Sequence, residues 1–383
     1  MKPLKATREN LRRHNRQLLL RAVYTGLANN RAALASETGL AKPTVSDLIG
    51  ELIADGLLTE GGLGESTESG GKRPTLIKFV PEARQVIGVS LDNGRAFGVL
   101  CNLAGQVAAQ HYAELENAQG DAVEALLTDV INGLVAQLDA PLLCIGVGVP
   151  GVVETGSGII TDSPPLGWRH WPLSERLSAR YGVPVYTGNS AELTALAQYA
   201  FGLNGDDHTR SLVTVLITNS VEVGITLGGI TCHQGGDISG LFSTTGESRL
   251  DTLLGWPAVQ RRAAELRRQH PGSTLPENGL TYMHIHYSAA NGDPAAQQLG
   301  EELSTYLAQI MGWIVGLLRP DHVSLAGPIV NLGDDFLRRI VEKTESMLWP
   351  EVVRPVVFSL AYSGNLSAIG AAALALHREL DIL

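Results

Sequence analysis

Residues capable of metal or nucleophile chemistry are few in this chain and unfavourably spaced. The three cysteines, Cys101, Cys144 and Cys232, stand far apart and form no Cys-x-x-Cys pair, so neither a cysteine-rich metal site nor a disulfide framework is expected. His284 and His286 alternate in the segment TYMHIHY without a third partner, and the surface of a strand or helix is the simpler interpretation. We therefore predict no metal site and no cofactor.

A different chemistry, ion pairing with a polyanion, is indicated at the N-terminal end. Residues 1–80 carry 12 lysines and arginines against 8 acidic residues, whereas residues 81–383 carry 17 against 31. A basic head on an acidic body predicts that only the head meets polyanions such as DNA. A solvated helix face is the alternative for the seven cations within the first 21 residues.

The elements that would position these charges follow the order of a winged helix-turn-helix. Apolar residues at helical spacing predict a helix over 8–24, and a short helix over 31–38 follows it. Gly39 can take the positive-φ turn before a third helix, which has Pro43 in its first turn. The third helix should bury an apolar face with the spacing i, i+3, i+4 and i+7. That face consists of Val45, Leu48, Ile49 and Leu52.

Polar residues left on the outer face of the third helix, near its N-terminus, are the predicted DNA contacts. A glycine- and serine-rich loop over 61–71 and a strand-like run over 75–80 predict a wing, whose cations would reach phosphates or a minor groove. Asp47 is suited to accept a hydrogen bond from cytosine, although it would repel phosphate. The complete predicted set is Arg31, Lys42, Pro43, Thr44, Ser46, Asp47, Lys72 and Arg73.

The rest of the chain alternates short β-rich runs with helical stretches, which predicts an α/β body of two lobes around a cleft. We expect a DNA-binding head over 1–80, a first lobe over 81–200 with the C-terminal helix 366–383 packing back on it, and a second lobe over 201–365. The predicted strands are 86–91, 96–103, 142–150, 184–188, 211–218, 223–229 and 322–327. The predicted helices lie near 121–138, 172–181, 190–202, 256–269, 294–318, 334–348 and 366–380.

No apolar run in the sequence reaches about 18 residues, the length that a membrane-spanning helix requires. The N-terminus is polar and basic and lacks the apolar core of a signal peptide. Both observations, together with the sparse cysteines, predict a cytoplasmic protein without a membrane partner.

Several motifs, taken in order, resemble the ROK family of repressors, of the N-acetylglucosamine and xylose type. They are IGVSLDNG, VGVPGVV, LGWRHWPLSERL, GVPVYTGNSAELTALA, NGDPAAQQLG, RPDHVSLAGPIV and SAIGAAALAL. The resemblance runs from about residue 86 to the C-terminus and is joined to the winged head. It implies an actin-like ATPase (ribonuclease H-like) sugar-kinase fold, whose cleft repressors use as a sensor.

The resemblance also implies what a kinase of this family would need, and this chain departs from it. The family has Asn-Asp where this chain has Asn189-Ser190, and a neutral serine is a poor general base. The glycines that approach ATP phosphates are replaced by side chains, including Glu222, which would repel a polyphosphate. We therefore predict no catalytic residue, with a sugar kinase as the remote alternative.

The zinc motif that members of the family commonly carry is missing as well. Phe242, Thr244 and Arg249 stand at its three cysteine positions. Of the sugar-hydroxyl contacts that the family implies, Asn189 remains, and Asp251 stands near the position of a glutamate. The residues predicted to touch a ligand between the lobes are Gly151, Ser163, Asn189, Ser190 and Asp251.

These features together predict a DNA-binding transcriptional regulator, and a repressor of carbohydrate-related genes in particular, with a catalytically inactive body that serves as sensor or dimerisation platform. A homodimer or homotetramer would place its heads on a pseudo-palindromic operator in double-stranded DNA. Three modes of control stay open at this point: a sugar-like effector, a protein partner, or no ligand at all.

Overall fold

The computed structural model describes most of the chain. The described residues are 8–64, 73–92, 94–115, 118–154, 156–201, 211–227, 230–231, 236–238, 240, 249–362 and 364–382. Lys72, Cys232, Phe242 and Thr244, which were considered above, lie outside them. No helix in this part of the chain combines the length and the hydropathy that crossing a membrane requires.

Three helices and a two-stranded antiparallel sheet form the head. The elements are α1 (Arg8–Tyr24), α2 (Arg31–Thr38), α3 (Lys42–Ala54), β1 (Leu58–Leu63) and β2 (Thr75–Phe79). The predicted helices over 8–24 and 31–38 are confirmed. Strand β1 extends into the segment predicted as a loop, because Leu63 pairs with Thr75 after a shift in register.

The first lobe is built on a five-stranded sheet with a small three-stranded sheet beside it. Its elements are β3 (Gln85–Asp92), β4 (Arg95–Asn102), β5 (Val107–Glu114), α4 (Asp121–Val135), β6 (Leu142–Val149), β7 (Val152–Val153), β8 (Ile160–Ser163), β9 (Trp168–Trp171), α5 (Leu173–Tyr181), β10 (Val185–Asn189) and α6 (Ser190–Ala200). The large sheet has the order β10-β6-β3-β4-β5, and β7-β8-β9 form the small one. Strands β5, β7, β8 and β9 were not predicted. The residues of β5 are largely exposed, so its sequence contains no apolar run that would predict a strand.

The second lobe is built on a further sheet, with helices covering it. Its elements are β11 (Ser211–Ile217), β12 (Val221–Leu227), β13 (Ile230–Thr231), β14 (Gly236–Asp237), α7 (Asp251–Leu254), α8 (Trp256–Gln269), α9 (Tyr282–Ala290), α10 (Pro294–Leu318), β15 (His322–Ala326), α11 (Asp334–Met347), α12 (Pro350–Val353) and β16 (Val357–Ala361). The sheet order is β13-β12-β11-β15-β16, with β14 also paired to β12. His284 and His286 lie on helix α9.

The last helix, α13 (Leu366–Leu380), connects the first lobe to the head. It packs against α6 and against strands β3 and β6 of the first lobe, and its C-terminal end reaches α1 of the head. Leu19 and Leu20 of α1 belong to the same apolar cluster as Leu376 and Leu380 of α13. The head is therefore packed onto the body through a shared core.

Asp293 holds the N-terminus of the 25-residue helix α10. Its Oδ1 accepts hydrogen bonds from the backbone N–H groups of Ala295 and Ala296, at 2.9 and 3.1 Å. Its Oδ2 accepts from the hydroxyls of Ser273 and Thr274, at 2.8 and 3.0 Å. Burial by itself would raise the pKa of Asp293, but the hydrogen bond from the backbone N–H of Thr274, together with those just named, outweighs it and the pKa lies below its ordinary value.

We expect Asp293→Ala to lower the free energy of unfolding by about 2–4 kcal/mol at pH 7, because it removes a helix cap and several hydrogen bonds to a carboxylate. A lowered pKa stabilises the fold above the unfolded value, so the effect should be complete above about pH 4 and shrink as the pH falls further. Urea unfolding at pH 7 and pH 3 measures this. Asp335→Ala, at an exposed acid in the first turn of α11, is the control, and equal losses in both variants would contradict the expectation.

Candidate functional site

Helix α3 presents the polar face that its sequence predicts. Its apolar residues Val45, Leu48, Ile49 and Leu52 are buried, as expected. Gly39, three residues before α3, has φ 68°, and this left-handed turn ends α2 and sets the direction of α3. The opposite face of α3 does not pack into the core of the head. Lys42, Pro43, Ser46 and Asp47 are exposed, and Thr44 is half-buried.

Some basic residues of the head form ion pairs with acidic residues of the head itself. Arg12 of α1 pairs with Glu51 of α3, and Arg16 pairs with Asp55. These pairs tie α1 to the C-terminal half of α3, away from its exposed N-terminal residues. Such pairs on an exposed surface stabilise the fold only slightly. They do, however, orient α3 relative to α1. Two of the seven cations near the N-terminus therefore have a structural role.

Two other predicted cations differ in their surroundings. Arg31, at the start of α2, lies beside β1, with 2.9 Å between its Nη2 and Glu60 Oε1. The positive charge of Arg31 is therefore compensated in the free protein, and DNA would have to compete with Glu60 for it. Arg73 is exposed immediately before β2, next to the antiparallel β1–β2 pair that forms the base of the predicted wing.

Asn189 stands where the first lobe meets the second. It ends strand β10 and caps α6, because its Oδ1 accepts from the backbone N–H groups of Ala191 and Glu192, at 2.9 and 3.2 Å. Its Nδ2 donates to the backbone carbonyl of Gly151 at 2.9 Å. The structure thus brings together two of the residues predicted to touch a ligand. Asn189 is 3% exposed, so its hydrogen bonds are made away from bulk water.

Two further predicted residues lie close to Gly151 and Asn189: Ser190 in the chain and Ser163 in space. Ser190 is the first residue of α6, directly after Asn189. The backbone of Ser163 lies beside Gly151, whose φ of 105° and close contact with the Asp162 carbonyl leave no room for a side chain. Both serine hydroxyls are buried, and neither has a hydrogen-bond partner among the described residues. Unsatisfied buried hydroxyls are uncommon and fit a site that takes a polar ligand.

Asp251, the fifth predicted residue, begins the short helix α7 in the second lobe. Its Oδ1 lies 3.6 Å from Arg249 Nε, too far for a hydrogen bond, and has no hydrogen-bond partner among the described residues. Arg249, which stands at one of the family's cysteine positions, therefore acts here as a weak ion-pair partner of a neighbouring carboxylate. Among the described residues, no hydrogen bond or ion pair joins Asp251 to the other four predicted residues.

The surroundings of Glu222 differ from those that the sequence interpretation expected. Asn219 and Ser220 lie in the turn between the antiparallel strands β11 and β12, and residues 221–224 already belong to β12. The Glu222 carboxylate is 1% exposed, and it reaches across from β12 to Gly151 and Asn189 of the first lobe. From the sequence we expected this charge only to repel phosphate. Its partners lie 71 and 33 residues away in the chain, so no local pattern could have identified them.

A large cavity of about 1060 Å³ is lined by residues of both lobes. Residues of β4 and β5 line it on one side, and the β11–β12 turn, the start of α9 and the start of α13 line it on the other. The five predicted ligand residues are not among its lining residues. The Tyr282 hydroxyl and the Ser367 hydroxyl, whose residues line the cavity, have no hydrogen-bond partner among the described residues.

Known sequences match this chain over both the head and the body. Residues 86–242 and 250–378 match the ROK family. The chain is 28% identical over 378 residues to the xylose repressor of Bacillus subtilis (strain 168), covering 96% of each chain. It is also 28% identical over 368 residues to the DNA-binding transcriptional dual regulator NagC of Escherichia coli (strain K12), covering 90% of this chain and 88% of that one.

Solved structures show the same fold. A ROK family transcriptional regulator, described as a homolog of the E. coli MLC protein, superposes with a TM-score of 0.81 at 20% identity, over 97% of this chain and 98% of that one. A ROK family glucokinase from Streptomyces griseus, in complex with glucose and AMPPNP, superposes with a TM-score of 0.66 at 20% identity, over 76% of this chain and 98% of that one. With most of its length matching the family, and with a body that shares the fold of the sugar kinases, this protein belongs to the ROK family.

Proposed function

We propose that this protein is a DNA-binding transcriptional regulator that represses carbohydrate-related genes. The observation that carries the proposal is the similarity to named repressors over head and body together, which reaches 96% of both chains for the B. subtilis xylose repressor. The exposed polar face of α3 supports it, because a helix of this kind reads base edges in the major groove. Lys42, Thr44, Ser46 and Asp47 are the proposed base or phosphate contacts, and Arg31, Lys72 and Arg73 add electrostatic affinity.

The proposed assembly is a homodimer or homotetramer, because two copies of α3 can read two halves of a pseudo-palindrome. A small molecule that binds between the lobes would change the spacing of the heads, and its binding would be coupled reciprocally to DNA binding. Gly151, Ser163, Asn189 and Ser190 are the proposed contacts, with Asp251 contributing from the second lobe. Control by a protein partner, or without a ligand, is the alternative.

The body is further proposed to be catalytically inactive. Ser190 stands at the start of α6, where a carboxylate would be needed to accept the proton of a sugar hydroxyl. Glu222 fills the junction of the lobes with a negative charge of the protein's own. We expect no sugar-dependent formation of ADP from ATP, and a measurable rate that depends on an added sugar would contradict this.

The regulatory proposal is tested by selecting bound duplexes from a random DNA pool with the full-length protein. We expect an enriched inverted repeat, bound at least about 1000-fold more tightly than an unrelated duplex. Titrating that duplex in the presence of xylose, N-acetylglucosamine and their phosphates then distinguishes a sugar-controlled regulator from one that is indifferent to sugars. The absence of any enriched sequence would contradict the proposal.

A further inference from the structure

Glu222 makes hydrogen bonds that cross the junction between the lobes. Its Oε1 accepts from the backbone N–H of Gly151 at 3.1 Å, and its Oε2 accepts from Asn189 Nδ2 at 3.2 Å. The hydroxyl of Ser220, in its own lobe, also donates to Oε1, at 3.1 Å. Within the described part of the chain, these three donors surround one carboxylate, and Glu222 is 1% exposed.

The donors cannot easily be turned away from this position. The Asn189 amide is oriented by its Oδ1, which caps α6 by accepting from two backbone N–H groups. Reversing the amide would place NH₂ against those N–H groups and lose the cap. The Gly151 N–H belongs to a backbone with φ 105°, pressed against the carbonyl of Asp162. Two of the three donors are thus fixed by the first lobe, whether or not Glu222 is present.

We propose that Gly151, Asn189 and Ser220 form a carboxylate-binding site between the lobes, and that Glu222 fills this site as a ligand supplied by the chain itself. In this arrangement the side chain joins strand β12 of the second lobe to β10 and the β6–β7 turn of the first. Hydrogen bonds to a buried carboxylate are stronger than those between neutral groups. Glu222 therefore holds the two lobes in the arrangement seen here.

The site has a consequence for any effector, and this part rests on the proposed function. Gly151 and Asn189 are among the groups proposed to bind a small molecule, and both already donate to Glu222. A ligand that uses them must displace the carboxylate. Its apparent affinity is therefore its intrinsic affinity multiplied by the fraction of molecules in which Glu222 has left the site. Displacement would also release the lobes, which links occupancy of the site to the position of α6 and α13.

Chemical rescue in the full-length protein tests the site. Glu222→Ala removes a fragment that matches acetate in size and charge. We expect the backbone amide of Gly151, which loses its acceptor, to exchange hydrogen at least about tenfold faster in this variant, and about 100 mM sodium acetate to restore most of the protection. The same concentration of sodium chloride should have no effect. Exchange is followed by mass spectrometry of overlapping peptides.

The control is Asn219→Ala, at an exposed residue in the same turn, which should leave exchange at Gly151 unchanged. If Glu222→Ala does not fold, Glu222→Gln serves instead. Its NH₂ must face either Gly151 N–H or Asn189 NH₂, so exchange should again be about tenfold faster, but acetate should not restore it because the pocket is filled. Unchanged exchange in the variants, or equal effects of acetate and chloride on Glu222→Ala, would overturn the proposal. Neither result depends on DNA binding by the wild-type protein, so failure of the regulatory proposal is seen separately.

Discussion

Ser46→Glu is expected to weaken binding to the selected operator at least about 100-fold. Ser46 is exposed on α3, near the end of the helix that would enter the major groove. A glutamate there adds a negative charge that faces phosphates and replaces a short hydroxyl with a longer side chain. In a dimer the change occurs twice, at about 1–3 kcal/mol for each half-site.

The matched control for this variant is Ala264→Glu, which adds the same charge at an exposed position of α8 in the second lobe. The two proteins have the same net charge, so a general electrostatic effect on DNA would be similar in both. Fluorescence anisotropy with the operator duplex, at one fixed salt concentration, measures the two affinities. If both variants bind as the wild type does, α3 is not the recognition helix.

Gly370→Ala is expected to lower the free energy of unfolding by about 4 kcal/mol or more, or to prevent accumulation of folded protein. A Cβ at this position of α13 would lie 1.8 Å from the backbone carbonyl oxygen of Leu193 on α6. The obstructing atom belongs to a helix backbone and cannot turn aside as a side chain can. The two helices would have to separate, and α6 carries Asn189 and Ser190 at its start, so the interlobe site should be disturbed too.

Gly300→Ala is the control for the clash, because Gly300 lies inside helix α10 with only the Arg339 guanidinium near its added Cβ, at 3.9 Å. Replacing a helical glycine with alanine at an uncrowded position should stabilise the protein by up to about 1 kcal/mol. Urea unfolding of both variants gives the comparison. A similar stability for the two would mean that α13 and α6 can separate without loss of packing.

Only the tertiary structure shows that α13, the helix that contains Gly370, runs from the large cavity to the head. Helix α13 begins beside the large cavity, where Leu366 and Ser367 line the wall, and ends in the cluster that includes Leu19 and Leu20 of the head. The alanine- and leucine-rich sequence of α13 predicts a buried helix. We expected it to pack on the first lobe, but nothing in its sequence indicates that its end also meets α1 of the head, because many apolar surfaces are chemically equivalent.

The sequence by itself determined the local structure of the head and the order of most elements of the body. In α3 the i, i+3, i+4 and i+7 spacing of apolar residues leaves one way to bury that face, so the exposed residues followed directly. Asn30 and Gly39 mark the two ends of α2, since capping and a left-handed turn are local properties of the chain. The motifs of the body, in their order, were sufficient to identify the ROK family.

The tertiary structure alone decided which charges pair with other charges and which accept hydrogen bonds from the other lobe. The sequence shows the cations of α1 but not that Arg12 and Arg16 pair with acids 39 residues later. It shows Glu222 but not that this carboxylate accepts hydrogen bonds from Gly151 and Asn189 of the other lobe. An ion pair or hydrogen bond between distant residues depends on how the elements pack, and that packing is not encoded in any local spacing of the residues involved.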